Sequence, residues 1–187
     1  MLWSNSEHSL TVLNMLKSRL VIVALCIMFA LSTTTWAQQS STRGNCLCDR
    51  DEVRYFSCQT VRGKAVSLCG RGDRFVQYRF GKRGKIELRF PSSADAPETL
   101  RFASYMRFET ESYEVTFSAS GATYSVFDYT EGKERSAGVR VVTATGNEVV
   151  MECAGKIYSR LPELASHLPC DKDNALNLDG CPEQVVQ

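Results

Sequence analysis

The stretch FVQYRFGKRGKIELRF, residues 75–90, decides the fold. Val76, Tyr78 and Phe80 alternate with Gln77 and Arg79. After Gly81-Lys82-Arg83-Gly84 the pattern resumes as Ile86, Leu88 and Phe90 against Lys85, Glu87 and Arg89. Successive side chains of a strand point to opposite faces. Two such runs joined by a glycine-flanked connection therefore predict a β-hairpin with one face in the core and the other in water.

The alternation continues outward from this hairpin. Residues 91–97 are a Ser/Pro/Ala/Asp loop, and residues 100–108 read as a strand. Tyr113, Val115 and Phe117 alternate with Glu114 and Thr116, and residues 118–121 read as a turn. Residues 123–129, 138–144 and 148–153 read as further strands, separated by polar turns at 130–135 and 145–147. Only residues 159–168 have helical spacing, with Leu161, Leu164 and Leu168 on one stripe. The expectation is an all-β chain: an antiparallel β-sandwich or small barrel of about seven to eight strands with one short C-terminal helix.

The first 37 residues do not belong to that domain. Lys17 and Arg19 form a basic region, residues 20–31 are an apolar run, and Thr35-Trp36-Ala37 carries small residues where a signal peptidase reads. The expected mature chain starts at Gln38, and Met15 is a second candidate start because it opens a more ordinary signal peptide. A run of about 12 apolar residues is short against the roughly 20 of a spanning helix, so no stable membrane anchor is expected after cleavage. Cys26 is preceded by Leu25 where a lipoprotein signal needs a small residue. The organisation expected is a signal peptide over 1–37, a flexible lead-in over 38–52, a β domain with its terminal helix over 53–169, and a tail over 170–187. Export places the chain in the periplasm or outside the cell.

Export also governs the cysteines. Seven remain after cleavage: Cys46, Cys48, Cys58, Cys69, Cys153, Cys170 and Cys181. Outside the cytosol disulfides are the expectation, and an odd count leaves one thiol over. The favoured pairing joins Cys69 to Cys153, Cys170 to Cys181, and Cys58 to either Cys46 or Cys48. Zinc fits poorly, because Cys46-Leu47-Cys48 is not a C-x-x-C pair and His167 is the single histidine of the mature chain.

The 22 Lys and Arg lose Lys17 and Arg19 on processing and the 21 Asp and Glu lose Glu7, leaving 20 of each. A chain near zero net charge lacks the basic excess that gathers nucleic acid or anionic lipid. No G-x-S-x-G, H-E-x-x-H or Walker loop occurs. His167 sits in the apolar terminal stripe, where packing explains it, and Glu109, Glu111 and Glu114 read as solvated faces. An enzyme is not expected, and no cofactor or metal is implied. Arg71-Gly72-Asp73 reads as a glycine turn. Asp171, Asp173, Asn177 and Asp179 miss the calcium-loop pattern, because Ala175 stands at a ligand position and no Glu closes the loop. They read as a solvated tail.

One segment carries a recognisable shape. Ser120-Gly121-Ala122-Thr123-Tyr124 breaks the strand alternation, with Ser120 and Gly121 in a turn and Tyr124 opening the next strand. It resembles the S-G-x-x-Y signature of the periplasmic and membrane-bound lysozyme inhibitors of Gram-negative bacteria. The resemblance implies a loop entering a lysozyme cleft, with the Ser120 and Tyr124 hydroxyls reaching the catalytic carboxylates and Gly121 permitting the turn. Hydroxyls suit that task, because a lysozyme holds one carboxyl protonated and another ionised and a hydroxyl can bond both. Val66-Ser67-Leu68-Cys69, Tyr78-Arg79-Phe80-Gly81 and Gly84-Lys85-Ile86-Glu87-Leu88 are in turn similar to a group of exported bacterial proteins sharing that cysteine and hairpin. The leading expectation is an exported binding protein that inhibits a lysozyme-type glycoside hydrolase. The alternative is an interaction module of the envelope, and the two differ in whether Tyr124 is exposed on a protruding loop.

Overall fold

The computed structural model describes residues 46–72, 75–97, 99–177 and 180–181. The expected signal peptide, its cleavage site and the start of the lead-in lie outside them, as do Asp73 and Asp179. Among the described residues nine strands are present: β1 (Val53–Thr60), β2 (Ala65–Arg71), β3 (Phe75–Lys82), β4 (Lys85–Phe90), β5 (Arg101–Arg107), β6 (Thr110–Ala119), β7 (Ala122–Glu131), β8 (Glu134–Thr143) and β9 (Glu148–Ser159). All pair antiparallel in one sheet of order β4-β3-β2-β1-β9-β8-β7-β6-β5. The all-β expectation holds, with nine strands in place of seven or eight. The helix expected near the C-terminus is a 3-10 turn, Leu161–Ser166. Its Leu161 and Leu164, with Leu168, are buried as the apolar stripe required.

The strand order is the chain order joined end to start, because β9 pairs with β1. The two sheet edges, β4 and β5, are therefore consecutive in the chain, linked by residues 91–100. The sheet folds over itself: Phe90 of β4 stacks on Phe117 of β6 at 4.4 Å, and Tyr78 of β3 meets Phe117 and Tyr124. Inward residues of both halves form one core, including Phe56, Val66, Leu68, Tyr78, Val115, Val126 and Val139. β8 runs close against β9 at Gly138, where a Cβ would run into the Met151 carbonyl oxygen.

Two segments without periodicity close the outer faces. Residues 46–52 are not a free lead-in. Cys46, Leu47, Cys48 and Glu52 are buried across the outer side of β2 and β3. There Arg79 donates to both carboxylate oxygens of Glu52 at 2.7 Å, to Leu47 O at 2.9 Å and to Gln77 Oε1 at 2.7 Å. The hairpin face expected in water is thus covered at Gln77 and Arg79, and only β4 keeps its clean alternation. The tail behaves similarly. Phe102 donates its N–H to Pro169 O and Asp171 donates its N–H to Phe102 O, each at 2.8 Å, so the tail occupies part of the exposed edge of β5. Capping a free edge in this way blocks pairing with other chains.

The disulfides follow from face parity. Cys58 and Cys153 are bonded across the β1–β9 seam, Cys48 and Cys69 fasten residues 46–52 to the sheet, and Cys170 and Cys181 close the tail. The expected Cys69–Cys153 bridge does not form. Leu68 points into the core, so Cys69, one residue on, faces the outer side, away from Cys58. Among the described residues Cys46 is left as the free thiol, and it is buried.

Candidate functional site

The S-G-x-x-Y segment forms the β6–β7 turn. Ala119 pairs with Ala122, leaving Ser120 and Gly121 as a two-residue loop. Their φ angles are +51° and +74°, the pair of left-handed conformations of a type I′ turn, whose twist matches that of the flanking strands. A glycine adopts this at no steric cost; Ser120 adopts it at some. Both residues are exposed.

Tyr124 points the other way. Two residues into β7, its ring lies parallel to Phe117 at 4.9 Å and 3°, and it meets Tyr78 at 6.3 Å. It is half-buried against the core rather than carried on the tip. The turn therefore presents Ser120 and Gly121, while Tyr124 anchors the hairpin. The Tyr78 phenol beneath it is fully buried and finds no hydrogen-bond partner among the described residues. Burial, and then the nearby Tyr124 hydroxyl, push its pKa upward.

A second turn stands beside the first. Ala144 donates its N–H to Gly121 O at 3.1 Å, which sets Thr145-Gly146-Asn147, between β8 and β9, against the β6–β7 tip. Thr143, Thr145 and Asn147 bond one another there. From the tip, Ser118 and Thr123 of the outer face, 3.5 Å apart, lead into a hollow of about 670 Å³. Thr116, Ser125 and Arg101 line it with Asp171 and Asp173 of the tail. The surface is rich in hydroxyl and amide groups and carries no charge at the two tips themselves.

The acidic residues read as solvated divide. Glu109, with φ +54°, and Glu111 are exposed at the far end of β6, where Gly132 donates to Glu109 O. Ten strand residues separate that end from Ser120, roughly 30 Å at 3.3 Å per residue, so these carboxylates do not flank the tip. Glu114 is buried, because Asn174 of the tail covers it. It accepts from Asn174 Nδ2 at 2.7 Å, from Arg140 at 3.2 Å, and from the Tyr129 hydroxyl. Burial first, and the Glu114 carboxylate second, push the Tyr129 phenol up to about 12. Asp171 is buried too, accepting from Thr116 Oγ1, and Asp128 holds Arg135 through two bonds of 2.8 Å. The buried carboxylates Glu52, Glu114, Asp128 and Asp171 are thus each engaged, and all but Asp171 hold an arginine.

The remaining candidates have structural places. His167 packs its ring on Tyr55 at 5.6 Å. Arg71 lies 3.3 Å from Asp51 and 3.6 Å from Glu52. Cys48, Cys69 and Glu52 bring ligand-type atoms within 4.8 Å of one another, but the sulfurs are bonded together and the carboxylate holds Arg79. Sequence reasoning missed the Thr145–Asn147 turn as a neighbour of Ser120, since only the pairing of β8 with β7 and β9 brings it there.

Searches against family models, curated proteins and solved structures find no match to this chain.

Proposed function

We propose that this chain is an exported binding protein that inhibits a lysozyme-type glycoside hydrolase through the paired turns at the end of the sheet. The observation that carries the reading is the type I′ turn, which holds Ser120 and Gly121 out to solvent in a rigid hairpin. Ser118, Thr123, Thr145 and Asn147 surround it with further neutral donors and acceptors. Surfaces of serine, glycine and asparagine bind by adaptable hydrogen bonds, as antibody loops do. In this reading Ser120 meets a catalytic carboxylate, and Tyr124 serves the site by bracing the hairpin. Recognition rests on shape and hydrogen bonds rather than steering, because the acidic Glu109 and Glu111 lie at the opposite end.

The half-burial of Tyr124 favours a second reading, an interaction module of the envelope whose S-G-x-x-Y segment is a turn and a packing tyrosine. Titrating residues 38–187 against c-, g- and i-type lysozymes separates the two. Inhibition of one class, weakened about 5- to 30-fold by Ser120→Ala through a lost bond of 1–2 kcal/mol to a charged group, supports the first. Absence of inhibition in all three classes leaves the second.

A further inference from the structure

We propose that Cys46, Cys48 and Cys69 form an internal thiol–disulfide exchange site in which Cys46 can replace Cys48 as the partner of Cys69. Three observations carry it. First, Cys46 and Cys48 flank Leu47 in an irregular segment laid along the sheet, and all three cysteines pack in one buried cluster on its outer face. Second, the Cys46 sulfur is held at the base of its neighbour, accepting the Cys48 N–H at 3.2 Å. Third, Cys46 is the one free thiol among the described residues, and it adjoins a bridge already in place between Cys48 and Cys69.

Exchange needs a free thiol to attack, a disulfide and a leaving sulfur, and Cys46, the Cys48–Cys69 bond and Cys48 supply them. The Cys46 thiol gives its proton to solvent and attacks the Cys69 sulfur. A Cys46–Cys69 bond forms as the Cys48–Cys69 bond breaks, and Cys48 leaves as a thiolate that takes up a proton. The step is an isomerisation, so no oxidant or reductant is consumed.

The two pairings are not equivalent, because they place residues 46–52 in different registers. Moving Cys46 to the position of Cys48 advances an extended segment by two residues, roughly 7 Å. In the present register Leu47 donates its N–H to Ser67 Oγ at 3.0 Å and accepts from Arg79, and Arg83 donates to Cys46 O at 3.3 Å. The advance breaks these bonds and crowds residues 47–51 into a wider bulge at the exposed turn of Asp49 and Asp51, while Glu52 stays on Arg79. The Cys48–Cys69 pairing is therefore the major form and Cys46–Cys69 the minor one. The hollow of about 320 Å³ bounded by Cys46, Cys48, Arg79, Arg83 and Arg89 gives the moving segment room.

The test is disulfide mapping of the folded full-length mature protein and of Cys48→Ser. Cys46 and Cys48 fall in one tryptic peptide, residues 44–50, so fragmentation at Leu47 shows which one carries an alkyl group. In Cys48→Ser, Cys46 and Cys69 should be found bonded, with the variant melting below the parent. A folded Cys48→Ser protein with two free thiols at Cys46 and Cys69 overturns the proposal. Should that variant fail to fold, the parent decides. Equilibrated at mildly alkaline pH and then rapidly alkylated, it should carry the label on Cys48 in about 1 to 10 % of molecules, the range of a populated minor state. Label confined to Cys46, with less than about 1 % on Cys48, equally overturns it.

Discussion

Replacing Tyr124 by alanine removes a ring that lies parallel to Phe117 at 4.9 Å and touches the Tyr78 ring beyond it. Truncating a fully buried aromatic costs about 3 to 5 kcal/mol, and each aromatic pair adds about 0.5 to 1.5 kcal/mol of its own. Tyr124 keeps one side towards solvent, so the expected loss is near the lower bound, about 3 kcal/mol. For a domain of this size each kcal/mol moves the midpoint by about 3 °C, so Tyr124→Ala should melt about 9 °C lower. Tyr124→Phe preserves the stacking and should stay within about 1 kcal/mol of the parent, since only a hydroxyl is lost. Ser120→Ala should leave the melting temperature nearly unchanged, because the side chain is exposed and the left-handed backbone is equally awkward for both residues. Thermal unfolding by circular dichroism, with lysozyme inhibition measured on the same three proteins, checks the set. A Tyr124→Ala protein that melts like the parent but loses inhibition would refute the bracing role and make the ring a direct contact.

Three further outcomes follow from the packing. Glu52→Gln should destabilise by about 3 to 5 kcal/mol in urea unfolding, because Arg79 is left as a buried cation without its bidentate partner. Replacing Cys58 and Cys153 together by serine opens a link spanning 95 residues, for which chain entropy alone gives about 4 to 5 kcal/mol; equilibrium unfolding under non-reducing conditions measures it. In alkali, the folded chain keeps the Tyr129 proton up to about 12, whereas the unfolded chain releases it near 10. The folded state then binds more protons than the unfolded one, so stability should fall as pH rises from about 10 to 12. Tyr129→Phe should flatten that fall in urea titrations across the same interval.

The alternation of residues 75–90 was enough to place the β3–β4 hairpin, and the same pattern located β5 to β9, because period 2 is a local property of an extended chain. The Ser120-Gly121 turn was legible for the same reason: two adjacent residues that tolerate positive φ, set between alternating runs, mark a tight hairpin. The aliphatic stripe of Leu161, Leu164 and Leu168 marked a packing segment, read as a helix over 159–168 where the structure has a 3-10 turn over Leu161–Ser166. Tyr124 could have been placed as well, since it shares parity with Val126, which is in the core. Cys69 could likewise have been set on the outer face from its neighbour Leu68.

What only the tertiary structure decided is what covers the outer faces. Gln77, Arg79, Glu114 and Asp171 are polar residues that a local reading assigns to water. They are buried because residues 46–52 and 169–177, which have no periodicity of their own, fold back over β2–β3 and β5–β6. Each buried charge is kept soluble in the protein by a partner distant in sequence: Glu52 for Arg79, Arg140 and Asn174 for Glu114, Thr116 for Asp171. The pairing of β9 with β1 is of the same kind, and it sets the Cys58–Cys153 seam. Local periodicity fixes which way a side chain points, but whether that side meets water depends on contacts between distant segments, which no single stretch of sequence encodes.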